Sequence, residues 1–239
     1  MRIAIVSDIH GNRTAFEAVL ADLRQASPDL ILHGGDLADA GASPVEIVDR
    51  VRDLGWPGVA GNTDEMLFRP ESLREFASQS PNLRAILPAI EEMAAATRAA
   101  LGEARLDWLR GLPRIQAHGP VALVHASPSN SWRAPGPQAS DAELESIYAP
   151  LGREVAVHGH IHQSYIRKPP GITVANSGSV SLSYDGDCRA SYLLLDGSGA
   201  AIRRVAYDVE EELQALAACG LPHADWVAKI LATARPQIP

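Results

Sequence analysis

Asp8-Ile9-His10 and His160-Ile161-His162 each place two strong metal-binding side chains two residues apart, with Gly35-Asp36, Gly61-Asn62 and His125 between them in the sequence. Residues i and i+2 point the same way on extended backbone. If Ser7–His10 stays extended, each pair is therefore expected to bind one ion together or to supply two neighbouring ions. Carboxylate oxygen, imidazole nitrogen and amide oxygen suit first-row ions such as Mn²⁺, Fe²⁺, Zn²⁺, Co²⁺ or Ni²⁺. A carboxylate can bridge two such ions, held about 3.5–4 Å apart in two-metal hydrolytic sites. Singly, each motif has an ordinary explanation. A Gly-Gly-Asp run is often only a turn, and Asn62 after Gly61 fits an Asx-turn. His160 and His162 fit strand histidines. The ordered set, with every member at a predicted strand exit, carries the weight.

Strand exits matter because ligands gather at the carboxyl ends of strands in α/β sheets. Arg2–Val6 is an apolar run ending at Ser7-Asp8, Leu30–Leu32 leads into Asp36, and Gly58–Ala60 is a third predicted strand leading into Asn62. Helical spacing fills the gaps. Phe16, Val19, Leu20 and Leu23 mark Thr14–Leu23, while Val45, Ile47, Val48 and Val51 mark Pro44–Leu54, with Ser43 as its N-cap. This alternation predicts parallel strands joined by right-handed crossovers. Residues 65–112 are Ala-, Leu- and Arg-rich and read as a helical insertion. Strands return at Arg114–Ala117, Val121–His125, Glu154–His158, Ser164–Arg167, Ile172–Val174, Ser191–Leu195 and Ala201–Ala206. Two amphipathic helices, separated by Gly220-Leu221-Pro222, are expected over 209–234. Their apolar stripes suit core packing, with a homo-oligomer contact as the alternative. The expectation is an α/β chain forming one domain over 1–239, a sandwich of two β-sheets flanked by helices. Several ligand candidates should then lie at one edge of one sheet.

On these motifs the chain resembles the calcineurin-like metallophosphoesterase superfamily, whose signature runs D-x-H, G-D, G-N, H and G-H-x-H. The matching residues are Asp8-Ile9-His10, Gly35-Asp36, Gly61-Asn62, His125 and Gly159-His160-Ile161-His162. Asn176-Ser177-Gly178-Ser179-Val180 is similar to a motif of the small bacterial and archaeal phosphodiesterase-like branch. The resemblance implies a four-layer α/β/β/α fold and two divalent transition-metal ions. Manganese is the expected metal, with iron, zinc, nickel or cobalt as alternatives. One ion would be held by Asp8, His10, Asp36 and His162, the other by Asp36, Asn62, His125 and His160, with Asp36 bridging. A bridging hydroxide would attack a phosphodiester or phosphomonoester, with a nucleotide among the candidate substrates. Asn62 could also hydrogen-bond a phosphate oxygen.

One position departs from the family pattern. Many members carry a proton-donating His after Gly-Asn, where this chain has Thr63, a residue with no useful pKa for acid catalysis. Asp64 could substitute as the donor, or cap the following helix. Activated or phosphodiester substrates are therefore expected to be favoured. His33 reads as a packed or exposed strand-end residue in preference to one that supports a metal ligand, and His158 as a strand residue facing away from the ions. Asn12 is placed as a helix cap in preference to a phosphate contact. Trp132 and Arg133 either clamp substrate or sit in an exposed loop.

Composition narrows the partners. With 29 acidic and 21 basic residues the chain carries −8, which disfavours stable nucleic-acid binding. Bound cations can still draw a small anionic ester into an acidic protein. No apolar run reaches the roughly 18–20 residues of a membrane span. MRIAIVSDIHG lacks a signal-peptide h-region, and two cysteines make no disulfide framework, so a cytoplasmic location is the expectation. A protein Ser/Thr phosphatase and a non-catalytic scaffold that kept the fold stand as the alternatives.

Overall fold

A computed structural model describes residues 1–239. In chain order the elements are β1 (Ile3–Val6), α1 (Arg13–Ala26), β2 (Leu30–His33), α2 (Pro44–Leu54), α3 (Asn62–Phe68), α4 (Glu71–Ser78), α5 (Leu87–Arg110), β3 (Ile115–His118), β4 (Val121–Val124) and α6 (Asp141–Tyr148). They continue with β5 (Val155–His158), β6 (Tyr165–Arg167), β7 (Thr173–Asn176), β8 (Ala190–Asp196), β9 (Gly199–Val205), α7 (Val209–Ala218) and α8 (Ala224–Thr233).

Two mixed sheets form, ordered β2-β1-β8-β9 and β3-β4-β5-β7-β6. The β1–β2 pair is parallel, as the βαβ pattern predicts, and so are β4–β5 and β5–β7. The period-2 alternation of β1 explains the layering. Ile3 and Ile5 join Leu32, Val121, Leu123, Val157 and Leu193 in the core between the sheets. Ala4 and Val6 face the other way and pack with Phe16, Val19 and Leu23 of α1 and Val48 and Val51 of α2. On the far face, Val124, Ala156 and Val174 bury against Leu144 and Tyr148 of α6. The result is the expected four-layer arrangement. Each fully buried Ile or Leu contributes about 1.5–3 kcal/mol relative to exposure.

Local signals explain most boundaries. Asn12 caps α1, its side-chain oxygen accepting from Ala15 N at 2.8 Å. Pro44 opens α2, but Ser43 makes no side-chain cap there. Two expectations need correcting, the Ser43 cap and the third strand. Gly58–Ala60 forms only an isolated bridge from Gly58 to His33, because the chain then leaves β2 and Ala60 N donates to Pro113 O (3.0 Å) instead. Helix α6 has no counterpart in the sequence reading. The region 65–112 is helical as expected, but Gly102 (φ 68°) breaks α5. No helix is long and apolar enough to cross a membrane.

Candidate metal centre

The loops after β1, β2, β4 and β5 and the start of α3 bring all seven predicted ligands to one end of the sandwich. They come from both sheets. Asp8, His10 and Asp36 follow strands of the first sheet, and His125, His160 and His162 follow strands of the second. The paired ligands converge for a reason different from extended backbone. Strand β1 ends at Val6, and Asp8, His10, Asp36, His160 and His162 all adopt left-handed φ between 48° and 70°. Such conformations cost about 1–3 kcal/mol each and persist where the surroundings over-determine them.

Those surroundings are specific. Asp8 N donates to Gly35 O (3.0 Å) and His10 N to Asp36 O (3.0 Å), tying the first two loops together. Ser179 Oγ donates to Asp8 O at 2.8 Å, and Asn176 Nδ2 donates to Gly159 O at 2.5 Å. The Asn176–Val180 segment is thus a clasp across the ligand loops. Close backbone approach demands glycine at two points. A Cβ on Gly61 would lie 2.0 Å from Asp36 Oδ1, and one on Gly159 would lie 2.3 Å from Asp8 Oδ2.

The ligand atoms form two overlapping groups. Atoms of Asp8, His10, Asp36 and His162 lie within 4.8 Å of one another, and all four residues are buried. His162 Nε2 is 3.2 Å from Asp8 Oδ1, and His10 Nε2 is 3.8 Å from Asp36 Oδ2. In the second group, His125 Nε2 is 3.4 Å from the same Asp36 oxygen and 2.8 Å from Asn62 Oδ1. His160 Nδ1 is also 2.8 Å from Asn62 Oδ1. Asp36 belongs to both groups.

The outer nitrogens test whether cations fit. Nδ1 of His10, His125 and His162 faces the carbonyls of Asp39 (2.8 Å), Gly34 (2.8 Å) and Leu182 (2.5 Å). A carbonyl only accepts, so each Nδ1 carries the proton, the usual orientation of metal-binding histidine. A ring held this way can bind an ion only through Nε2, which turns inward. The Nε2 atoms of His10 and His162 meet at 3.3 Å. Lone pairs and carboxylate oxygens facing one another call for positive charge, so the donor set fits divalent ions.

Electrostatics agree. Burial raises the Asp36 carboxyl, but His125, His10 and His160 outweigh it and hold Asp36 below the ordinary carboxylate range. Burial lowers His125, yet Asp36 and Asp8 reverse this and push it up to about 10. The carboxylates thus draw positive charge to that position. His160, by contrast, is pushed down to about 4 by burial and by the His125 charge.

The remaining candidates separate cleanly. Asp64 sits as the cap, and burial together with the Asp36 charge pushes its carboxyl up to about 6. Its Oδ2 accepts from Asp36 N (2.8 Å) and Gly61 N (2.9 Å), and its Oδ1 accepts from Leu37 N (2.9 Å). Thr63 N donates to Asp36 Oδ1 at 2.9 Å, while its buried hydroxyl has no partner. His33 is fully buried with neither ring nitrogen hydrogen-bonded. His158 faces away as expected, bonded to Tyr165 Oη at 2.6 Å and stacked on Tyr148.

A cavity of about 280 Å³ opens from this centre, with His10, Asp36, Asn62, His160 and His162 at its floor. Its wall is apolar, built by Met66, Leu73 and Phe76 from α3–α4, Ile90 and Met93 from α5, and Trp226 and Ile230 from α8. Trp132 joins the wall. Its indole N–H donates to Glu65 Oε2 (3.1 Å), and its ring lies 5.1 Å from that of Phe76. Arg133 stands outside the cavity over the Phe76 ring. Sequence reasoning missed Asp39, whose carbonyl orients His10, and Tyr184, which stacks on His162 at 4.7 Å. Every residue has a carbonyl, so composition gives no signal for the first. It also left Trp226 and Ile230 as plain core residues.

Fold and site together define a phosphoesterase of the two-sheet kind. The calcineurin-like phosphoesterase superfamily model matches residues 1–200, and the chain belongs to that family of hydrolases acting on phosphate esters. An uncharacterised protein of Methanocaldococcus jannaschii is 29% identical over 96% of both chains. A probable cyclic nucleotide phosphodiesterase of Synechococcus is 27% identical over 70% of this chain and 71% of its own. Among solved structures, a metallophosphoesterase from Sphaerobacter thermophilus aligns with TM-score 0.78 at 27% identity, covering 98% of this chain and 99% of its own. A hypothetical protein from Pyrococcus horikoshii shares the fold, with TM-score 0.84 at 17% identity and 99% of each chain covered.

Proposed function

We propose that the chain, acting as one metallophosphoesterase domain over 1–239, hydrolyses a small phosphodiester or phosphomonoester with two divalent ions. Manganese is the expected metal. Asp8, His10, Asp36 and His162 would hold one ion, and Asp36, Asn62, His125 and His160 the other. The observation that carries this reading is Asp36 Oδ2, which faces His10 on one side and His125 on the other. Bound there, two ions supply a water of lowered pKa and neutralise charge on the phosphoryl oxygens.

The chain's own groups do the rest. Asp64 fixes the Asp36 backbone, and Thr63 N occupies Asp36 Oδ1, which leaves Oδ2 aimed at the histidines. Asn62 turns its oxygen to His125 and His160, and its amide nitrogen is the group left to donate to a phosphate oxygen. Thr63 offers only a hydroxyl towards the leaving group, and Asp64 is spent on backbone N–H groups. Monoesters or diesters of acidic alcohols, whose oxyanions leave with little protonation, suit such a site. The convergence of all seven ligands favours an enzyme over a scaffold.

The test uses manganese-loaded protein with bis-p-nitrophenyl phosphate and p-nitrophenyl phosphate. Hydrolysis of at least one is expected, with Asp36→Asn as the inactive control. A Thr63→His variant should gain more on alkyl than on aryl esters. Equal gains on both would overturn the assignment of Thr63, and no hydrolysis of either ester would overturn the enzyme reading.

A further inference from the structure

The cavity differs in character from the centre it serves. Apart from His10, His160, His162 and Asp36 of the floor and Asp39 beside them, no charged side chain lines it. No lysine or arginine reaches it. Arg69, Arg114 and Arg133 line a separate polar recess, which shares Phe76 and Trp132 with the cavity wall. The wall's hydrogen-bonding capacity is also small. The Trp132 indole is bonded to Glu65, and Thr63 and Tyr184 supply the remaining hydroxyls, both beside the ligand residues. Phe76, Ile90, Met93, Trp226 and Ile230 form the rest.

Two consequences follow from this chemistry. A second phosphate, as in a nucleoside polyphosphate, needs a cationic side chain to receive it, typically a bidentate Arg. A nucleobase brings several donors and acceptors, which lose water against this wall and could find partners only beside the floor, at Asp39, Thr63 and Tyr184. An alkyl or aryl group loses nothing there and gains the transfer free energy of its apolar surface.

We infer that the ester taken by this site carries a hydrophobic alkyl or aryl group, lodged between α4, α5 and α8, and is not a nucleotide. This rests on the phosphoesterase reading of the metal centre and adds the substrate class to it. The helical region 65–112 and helix α8, which lie outside the sandwich, then have a joint role as the specificity wall. Trp226 and Ile230 serve both the buried cluster under α8 and the cavity surface.

Alkylphosphonates test the inference without turnover, because their C–P bond resists hydrolysis while the phosphonate still ligates the ions. Calorimetric titration of the manganese-loaded full chain with methyl-, butyl- and hexylphosphonate should show Kd tightening about threefold per methylene, roughly two-hundredfold from methyl to hexyl. The heat capacity of binding should grow more negative along the series. A nucleoside phosphonate should bind more weakly than hexylphosphonate. Phe76→Gln should cut the methyl-to-hexyl gain by about tenfold, and Ile90→Gln, also only partly buried, should do the same if the first variant misfolds. A flat series, or a nucleoside phosphonate that binds tightest, would overturn the inference while methylphosphonate binding still supported the metal centre. Failure of every phosphonate to bind would overturn both.

Discussion

The floor of the cavity consists of polar side chains delivered by strand-end loops, whereas its wall consists of apolar side chains delivered by helices. The floor is over-determined. Five of its seven ligands sit in left-handed backbone, three imidazoles are fixed by carbonyls, and Asp64 holds the Asp36 loop through three N–H groups. Apart from the indole hydrogen bonds of Trp132 and Trp226, the wall is held by packing, for which hydrophobic character and approximate volume suffice. The floor therefore sets the chemistry and tolerates little change. The wall sets what the ester carries and can be altered one residue at a time.

The sharpest break of this contrast is Asp36→Asn. Removing the shared charge should lower kcat/KM by at least about a thousandfold while the circular dichroism spectrum stays native. A loss of tenfold or less would mean that the two ligand groups do not depend on Asp36. On the helical side, Leu216→Ala beneath α8 should cost about 2–5 kcal/mol in urea denaturation. That cost should add to any destabilisation from metal removal, because Leu216 lies on α7 in the cluster under α8, an element that carries no candidate ligand. Strong non-additivity would show that floor and wall are one cooperative unit.

Asp64→Asn probes the support beneath the floor. An amide nitrogen in place of one oxygen leaves a buried backbone N–H unpaired, at a cost of about 1–3 kcal/mol, and should weaken metal retention on dialysis. Full stability with unaltered metal retention would show that the cap is dispensable. The smallest effect concerns His33. Burial pushes it down to about 4 from 6.5, so it stays neutral in the folded state while the unfolded chain takes up a proton. Its share of stability is complete above pH 6.5 and declines as pH falls towards 4, by about 1.4 kcal/mol at pH 5.5. His33→Phe should flatten that slope in denaturation measured from pH 7 to pH 5. An unaltered slope would place the acid sensitivity elsewhere.

The candidate ligands could be picked out because most lie where an apolar run stops. Val6 gives way to Asp8, and Val124 to His125, and such transitions are local in sequence. Helix α2 was legible over Pro44–Leu54 for the same reason, since its period and Pro44 are local signals. What was hidden depends on distant partners. The left-handed turns at His10 and His162 are sustained by bonds to Asp36 and from Tyr184, remote in the chain. The origin of the ligands in two sheets follows from strand order, which no local pattern encodes. Helix α6 buries only Leu144 and Tyr148 and so shows little periodicity. Met66, Ile90 and Trp226 look like any core residues until α3, α5 and α8 are assembled around one cavity.

The central claim is that Asp36 joins two ligand groups into one dinuclear centre, and electron paramagnetic resonance of the manganese-loaded chain tests it most directly. Ions about 3.5–4 Å apart through a shared carboxylate are magnetically coupled. The account predicts two manganese ions per chain with a coupled spectrum that is lost in Asp36→Asn. A single ion per chain, or two ions with the spectrum of isolated Mn²⁺, would contradict it.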